Sequence, residues 1–230
     1  MRVLTHKNIE QEFNLDNKYF YNLVIENPKF LRDIISGLQD QLDNGTETFI
    51  YRNGMDELKL EKEGFLILNP YQIEMDEKKV DLLVQKDISG HQDSTEKDAY
   101  QSLLKKIKEY LDNLVYDYDL PLTYNDAPTL AAFLKSFSLS VNSEYESFLE
   151  YILVQLKKIH RVFGYSFFFI YNLHDLLTDD ELTQLMYEAK KEEITMFLLS
   201  SHRPLHQNSN EFIVEIDEDL AELHIEPKTE

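Results

Sequence analysis

The chain moves between two hydrophobic rhythms, one of period two and one of three to four. Their order along the sequence predicts an α/β protein. Met1–Thr5 and Tyr19–Ile25 are short and rich in apolar, aromatic and β-branched residues, as strands are. Asn27-Pro28 then opens a helix. Asn27 can cap it, and Pro28 takes the first helical position, where its missing N–H costs nothing. The helix would bury Phe30, Leu31, Ile34, Ile35, Leu38 and Leu42 and stop at Asn44-Gly45. Thr48–Arg52, Leu58–Leu60 and Phe65–Leu68 read as short strands, with Asn53-Gly54 as a hairpin turn. Met75 to about Lys86 reads as a further helix.

From about residue 93 to 163 the pattern is helical. Tyr100, Leu103, Leu104, Ile107, Leu111, Leu114 and Val115 recur at three-to-four spacing after Ser94-Thr95. A break near Pro121 separates this stretch from a short helix at Thr129–Phe137 and a long one at Ser143–Phe163. The long helix carries Phe148, Leu149, Ile152, Leu153, Leu156 and Ile159 on its apolar face and ends at Gly164. The α/β rhythm then returns. Tyr165–Asn172 is almost continuously apolar, the pattern of a strand buried on both faces. Thr178 with Glu181 forms a capping box, Ile194–Ser200 is a second buried strand, and Glu211–Ile216 is a third, alternating and more exposed. Strand–helix–strand spacing favours a parallel connection. The simplest architecture is an α/β head built from residues 1–92 and 164–230, with residues 93–163 inserted as a helical leg.

Charge changes this picture more than composition does. The 230 residues include 23 basic and 43 acidic side chains, a formal net charge of −20, which argues against a generally basic, phosphate-binding surface. The excess is uneven. Residues 95–163 hold 8 basic and 10 acidic side chains against 15 and 33 in the remainder. Lys105, Lys106 and Lys108 cluster on one long helix, and Lys157, Lys158 and Arg161 on the other. Lysines on the outer face of an amphipathic helix are either solvated or in contact with an anion such as DNA, and periodicity does not separate the two. The absence of cysteine excludes a disulfide framework, a thiolate zinc site and a cysteine nucleophile. The first residues lack an apolar leader, and the longest apolar run, Phe167–Tyr171, is far below the ~20 residues that span a bilayer. The expectation is a cytoplasmic protein with no membrane contact.

Catalytic chemistry finds little footing. A phosphate loop needs glycines flanking a turn and then a Lys–Ser/Thr pair, yet none of the six glycines precedes a lysine. Where that loop would follow the strand ending near Ile25, the sequence reads Glu26-Asn27-Pro28-Lys29, and a carboxylate there repels phosphate. The strand Phe167–Asn172 ends in an amide where a nucleotide hydrolase carries a magnesium-binding aspartate, with Asp175 three residues on. His202 and His206 are four apart but separated by Arg203-Pro204-Leu205, which disfavours a helical ligand pair. No Ser/His/Asp arrangement suggests itself. The segment Asp117–Asp126 gathers Asp117, Asp119, Asn125 and Asp126 in a non-helical connection. These residues form either a loop for a hard cation or a solvated turn in which Asp126 caps the next helix.

The order of elements from Leu120 to Leu205 resembles the adaptation accessory family of type II-A CRISPR systems. The resemblance rests on Leu122-Thr123-Tyr124-Asn125-Asp126, Phe133–Val141, the long helix, Phe167–Leu173, Leu177–Leu182, Ile194–Leu199 and Arg203-Pro204-Leu205. It implies a non-enzymatic protein with a degenerate P-loop-hydrolase-like head and an inserted helical leg. It further implies a calcium-stabilised homotetrameric ring whose lysine-lined hole takes the ends of double-stranded DNA. Such a protein acts in spacer acquisition beside the spacer integrase and the effector nuclease. On this chain the DNA-facing residues would be Lys105, Lys106, Lys108, Lys135, Lys157, Lys158 and Arg161. The calcium ligands would be Asp117, Asp119, Asn125 and Asp126, although Asn125-Asp126 stands where a more acidic pair is expected. An acidic exterior around an inward basic lining would account for the net charge. The rival reading is an acidic α/β scaffold that binds a basic protein partner and no DNA. A third, a nucleotide hydrolase with residual activity, needs a phosphate cradle that the sequence lacks.

Overall fold

The structure, a computed structural model, describes residues 1–15, 19–142 and 144–227. It divides into two compact units, residues 1–74 with 145–230, and residues 75–144. The first is built on two sheets. A four-stranded antiparallel sheet runs in the order β2 (Ile9–Asn14), β1 (Arg2–His6), β4 (Phe49–Asn53), β5 (Asp56–Leu58). A six-stranded sheet begins with β10 (Glu222–Ile225), β9 (Glu211–Ile216) and β3 (Phe20–Ile25). It continues with β8 (Thr195–Ser200), β7 (Phe167–Tyr171) and β6 (Gly64–Ile67). All neighbours in it are parallel except β10 with β9.

Alternation along the parallel strands sends side chains to two buried faces. Tyr21, Leu23 and Ile25 of β3 share one face with Phe167, Phe169, Phe197, Leu199, Val214 and Ile216. Helix α1 (Pro28–Asn44) and the four-stranded sheet cover that face through Leu31, Ile34, Leu38, Leu4, Phe13 and Phe49. On the other side, α7 (Asp179–Lys191) packs on β8 and α6 (Phe148–Phe163) packs on α7. Local sequence sets the helix ends. The Asn27 Oδ1 accepts from the backbone N–H of Lys29 at 3.1 Å and Phe30 at 3.0 Å, and Pro28 follows as expected. Gly45 (φ 73°) and Gly164 (φ 81°) close α1 and α6 in the left-handed conformation that glycine adopts without steric cost. The Thr178–Glu181 capping box opens α7.

A polar network lies inside this unit around Glu211 and Asn22, both fully buried. Glu211 accepts from Asn22 Nδ2 at 2.8 Å and His174 Nε2 at 2.6 Å on one oxygen, and from the Asn208 N–H at 3.1 Å on the other. The Ser200 hydroxyl donates to Asn22 Oδ1 at 2.8 Å, which completes the network. At the sheet edges, Glu222 of β10 accepts from two successive β2 amides, Glu10 N at 2.6 Å and Gln11 N at 2.8 Å, and so ties the two sheets together.

The second unit contains α3 (Glu77–Gly90), α4 (Ser94–Tyr116) and α5 (Leu130–Ser136). Helices α3 and α5 pack together, Gln85 Nε2 donates to the Leu139 carbonyl at 2.8 Å, and Tyr100 donates to the Pro128 carbonyl at 2.8 Å. Among its described residues only Val80 and Gln85 are buried, and α4 has no buried residue despite its apolar stripe.

Several expectations shift. The helical insertion expected over 93–163 is a different segment, 75–144. Helix α3 joins it through α5, whereas α6 uses Leu149, Ile152, Leu156 and Ile159 to pack within the first unit. Helix α6 starts at Phe148 rather than Ser143, a residue that lies outside the described ones. Strand β9 is interior and largely buried rather than exposed, because β10, which sequence reasoning missed along with β2, covers its far edge. Leu58–Leu60 divides between the end of β5 and the first residue of a helical turn, α2 (Leu60–Glu63). Replacing Glu211 by alanine would leave the Asn22 and His174 donors buried without a partner. Glu211→Ala should destabilise the protein by about 3 kcal/mol, read as the urea midpoint, whereas Glu10→Ala, an exposed neighbour of the β2 edge, should change it little.

Candidate functional site

Ligands of open α/β sheets bind at the carboxyl ends of the parallel strands, so chemistry in this fold would sit along that edge. The N-terminus of α1 follows β3 there and would be the natural anion seat. It is filled from within. The Asn27 side chain takes the Lys29 and Phe30 N–H groups, Pro28 offers none, and Asn27 Nδ2 donates to the Glu218 carbonyl at 2.8 Å. At the end of β7, Asn172 adopts a left-handed conformation (φ 49°), which asparagine tolerates. Its Oδ1 accepts from Ser201 N–H at 3.1 Å.

Beside it the structure assembles a string that sequence reasoning missed. The Ser201 hydroxyl lies 3.1 Å from His202 Nδ1, and His202 Nε2 lies 3.0 Å from Asp175 Oδ1. A ring protonated on Nε2 satisfies both, donating to Asp175 and accepting from Ser201. The Ser201 N–H that would steady an oxyanion on a nucleophilic serine is engaged by Asn172, and both His202 and Asp175 are exposed. The string therefore joins the ends of β7 and β8 as a structural bridge. The signal for it was the strand ends themselves, since residues 27 positions apart meet only when β7 and β8 pair in parallel.

The basic residues divide between the two units. Lys157 Nζ lies 3.1 Å from Glu192 Oε1 and Arg161 Nη2 2.7 Å from Glu192 Oε2, so the second cluster joins α6 to the end of α7. Arg161 first and Lys157 second hold the Glu192 carboxyl below its ordinary range. Lys158 is 5 % exposed, with its stem in the core rather than on a solvated face. Lys157 and Arg161 pair with α7 while Arg161 stays exposed, and Lys158 is not available to a ligand in solution. Lys105, Lys106, Lys108 and Lys135 are exposed in the second unit. Lys105 and Lys108, one turn apart on α4, open onto a small pocket of about 260 Å³ walled by Leu104, Ala127 and Pro128.

The four residues expected to hold calcium do not converge. Lys108 Nζ pairs with Asp126 Oδ2 at 3.0 Å, which lowers the Asp126 carboxyl and raises the lysine. Asn125 Oδ1 accepts from its own loop at Ala127 N–H, 3.2 Å away. Asp117 and Asp119 are exposed at the end of α4 and just beyond it. No group of three or more metal-type side chains forms among the described residues, so this donor set does not fit a calcium ion on a single chain. The carboxylate that does join Asp126 is Asp112, one turn after Lys108 on α4 and accepting from the Tyr124 hydroxyl. That bond, with burial and the two carboxylates, pushes the Tyr124 hydroxyl up to about 12. The four-residue spacing of Lys108 and Asp112 on a helix was a legible hint of this cluster.

These features define an α/β protein with a five-strand parallel core, a self-capped helix after the first parallel strand and a helical unit that presents exposed lysines. The chain belongs to the family described as CRISPR-associated protein (Cas_Csn2), whose model matches residues 41–220. The match extends well beyond the Leu120–Leu205 stretch that carried the resemblance. The fold is similar to that of Stu0660 of Streptococcus thermophilus. Its crystal structure superposes with a TM-score of 0.52 at 11 % identity, covering 99 % of this chain and 77 % of that one. No curated protein matches the sequence. Among the described residues no helix is long and apolar enough to cross a membrane.

The Glu192 bridge has a defined pH dependence. Because its folded-state value is lowered, its stabilisation is present above the ordinary glutamate range near 4.5 and lost as pH falls through the lowered value. Glu192→Gln should cost about 0.5–1 kcal/mol at neutral pH, as a partly exposed ion pair does, and the difference from wild type should shrink in urea titrations as pH falls below the ordinary glutamate range.

Proposed function

We propose that this protein is a non-catalytic accessory of CRISPR spacer acquisition that binds the ends of double-stranded DNA as a homotetramer. The observation that carries the reading is α4, a 23-residue helix with no buried residue that presents Lys105 and Lys106 to solvent. Membership in a CRISPR-associated family supplies the context. The proposal includes a head derived from P-loop hydrolases. Numbered in chain order, the five parallel strands stand fifth, first, fourth, third, second across the sheet. This is the order of hydrolases that insert one strand between the phosphate-loop strand and the magnesium-aspartate strand. In that comparison Asn27-Pro28 stands at the phosphate loop and Asn172 at the aspartate, which supports a head without hydrolysis. Calcium enters as a stabiliser of the assembly, with no ligand set assigned on one chain. The spacer integrase and the effector nuclease are its expected protein partners, and the cytoplasm its expected location.

A second reading has its own support. Lys108, Lys157 and Arg161 are each paired with a carboxylate, which leaves fewer cations free for phosphate than the sequence suggests. An acidic scaffold that binds a basic protein and no DNA fits that observation.

Binding to a linear duplex and to a closed circle of the same DNA, with calcium and then with chelator, separates the two. The proposal expects binding of the linear form, dependent on calcium and falling steeply with salt. Lys105→Glu with Lys106→Glu should weaken binding by about tenfold or more and lower the salt slope by about 0.9 for each phosphate no longer neutralised. Lys158→Met should leave DNA binding intact. No binding to either form across salt and calcium would favour the acidic scaffold.

A further inference from the structure

The β6 edge of the six-stranded sheet is open and unlike the other edges. Strand β6 pairs with β7 alone. Natural edge strands are usually guarded by lysine, proline, a bulge or a covering element, since their outward N–H and C=O groups invite another strand. At the opposite edge β10 is short and charged, and the Gln207 side chain donates to the Ile225 and Glu226 carbonyls. In the four-stranded sheet, β5 reads Asp56-Glu57-Leu58, and β2 has Glu10 and Gln11 held by Glu222. Strand β6 reads Gly64-Phe65-Leu66-Ile67 and continues into Leu68, 41 % exposed, with no charge, lysine or proline among them.

A groove of about 600 Å³ runs along this edge. Every residue of β6 lines it and none of β7 does, so it lies on the unpaired side of the strand. One wall comes from α1 (Gln39, Leu42, Asp43) and the other from Gln72–Glu74 and Tyr165. Gly64 keeps the α1 wall close, because a Cβ there would meet Leu42 Cδ2 at 2.8 Å and the Leu60 carbonyl at 2.9 Å. The side chains of Phe65 and Leu66 alternate between the two faces. Phe65 stacks near Tyr165 and Phe168, and Leu66 packs toward the core under α1. The charged side chains lining the groove are Asp43 and Glu74, both exposed, and no lysine or arginine joins them.

We infer that the β6 edge is a strand-addition site for an extended, lysine- or arginine-bearing segment of a partner protein. Main-chain hydrogen bonds to β6 would supply affinity, apolar side chains would fill the spaces beside Phe65 and Leu68, and flanking cations would meet Asp43 and Glu74. A second copy of this chain is the poorer occupant. Isologous pairing of β6 would bring two Asp43–Glu74 rims of like charge directly together. The inference does not depend on DNA binding, and the variants below leave the α4 lysines untouched.

The probes are four blocked hexapeptides: alternating Lys-Val, the same with Glu for Lys, and two Lys-Val peptides N-methylated at alternate residues, one in each register. Hydrogen–deuterium exchange of residues 64–68 and fluorescence titration are the readouts. The Lys-Val peptide should protect those amides and bind about tenfold or more tightly than the Glu peptide at low salt. Methylation in one register should abolish binding. Asp43→Lys with Glu74→Lys, checked for an unchanged urea midpoint, should reverse the preference between the two charged peptides. Equal binding of both charged peptides, binding that survives methylation in both registers, or absence of protection at 64–68 would overturn the inference. Protection that grows with protein concentration in the absence of peptide would also overturn it, because it would assign the edge to a second copy.

Discussion

The structure depends on burying two apolar parallel strands, β7 and β8, on both faces. Phe167, Phe168, Phe169, Ile170, Phe197, Leu198 and Leu199 are fully buried, and no single covering layer could achieve that for side chains that alternate in direction. Two layers are therefore required. One is α1 with the small N-terminal sheet, and the other is α6 with α7. The assignment of α6 to the α/β unit follows from the same constraint, since the strands need its Ile152, Leu156 and Ile159 more than the helical insertion does. The Glu211 network places a fully buried carboxylate in this interior, and it is tolerated because Asn22, His174 and Asn208 together give both carboxylate oxygens a donor.

Electrostatics is organised by the same packing. A chain with 43 acidic side chains uses several of its few cations internally: Lys157 and Arg161 on Glu192, Lys108 on Asp126, Lys191 on Glu188. Each pair is modest in energy at the surface, but together they decide which basic residues remain for an outside anion. The α6 cluster ceases to be a DNA-binding candidate on equal terms with α4. The distinction between Lys105 and Lys158, invisible in a count of charges, is that one stands on an unburied helix and the other on the buried face of a covering layer.

Much of the fold was legible in the sequence because local chemistry set it. Asn27-Pro28, Gly45, Gly164 and the Thr178–Glu181 box end or start helices through bonds made within a few residues, and the continuous apolar run at Phe167 has few alternatives to a doubly buried strand. What was not legible depends on partners distant in sequence. Strand β10, Glu-Leu-His-Ile, has no apolar run and is a strand only because β9 offers an edge and Glu222 reaches β2. The unit boundary was misplaced because an amphipathic helix displays the same periodicity whether its apolar face meets a sheet or another helix. The expected calcium loop does not close on a single chain for a related reason. Four oxygen-bearing side chains close in sequence looked like a ligand set, but Asp126 turned to a lysine 18 residues earlier, and the Ser201–His202–Asp175 string formed where no spacing announced it.

The helical unit raises the remaining physical question. Its helices are well begun, with Asp76, Asp93 and Thr129 each capping an N-terminus, yet within the described residues it buries Val80 and Gln85 and little else. Caps contribute about 1 kcal/mol each and do not replace a core. Leu103, Tyr110, Leu114, Tyr116 and Phe137 stay exposed. At about 25 cal/mol per Å² of apolar surface covered, shielding even part of that stripe would outweigh several surface ion pairs. Under the proposed function, association would cover part of this stripe, and the lysines of α4 would be positioned by the same event. Assembly and anion binding would then form one coupled equilibrium, in which anything that favours an associated state would raise the apparent affinity of the lysine face, and DNA bound to that face would stabilise the assembly in return.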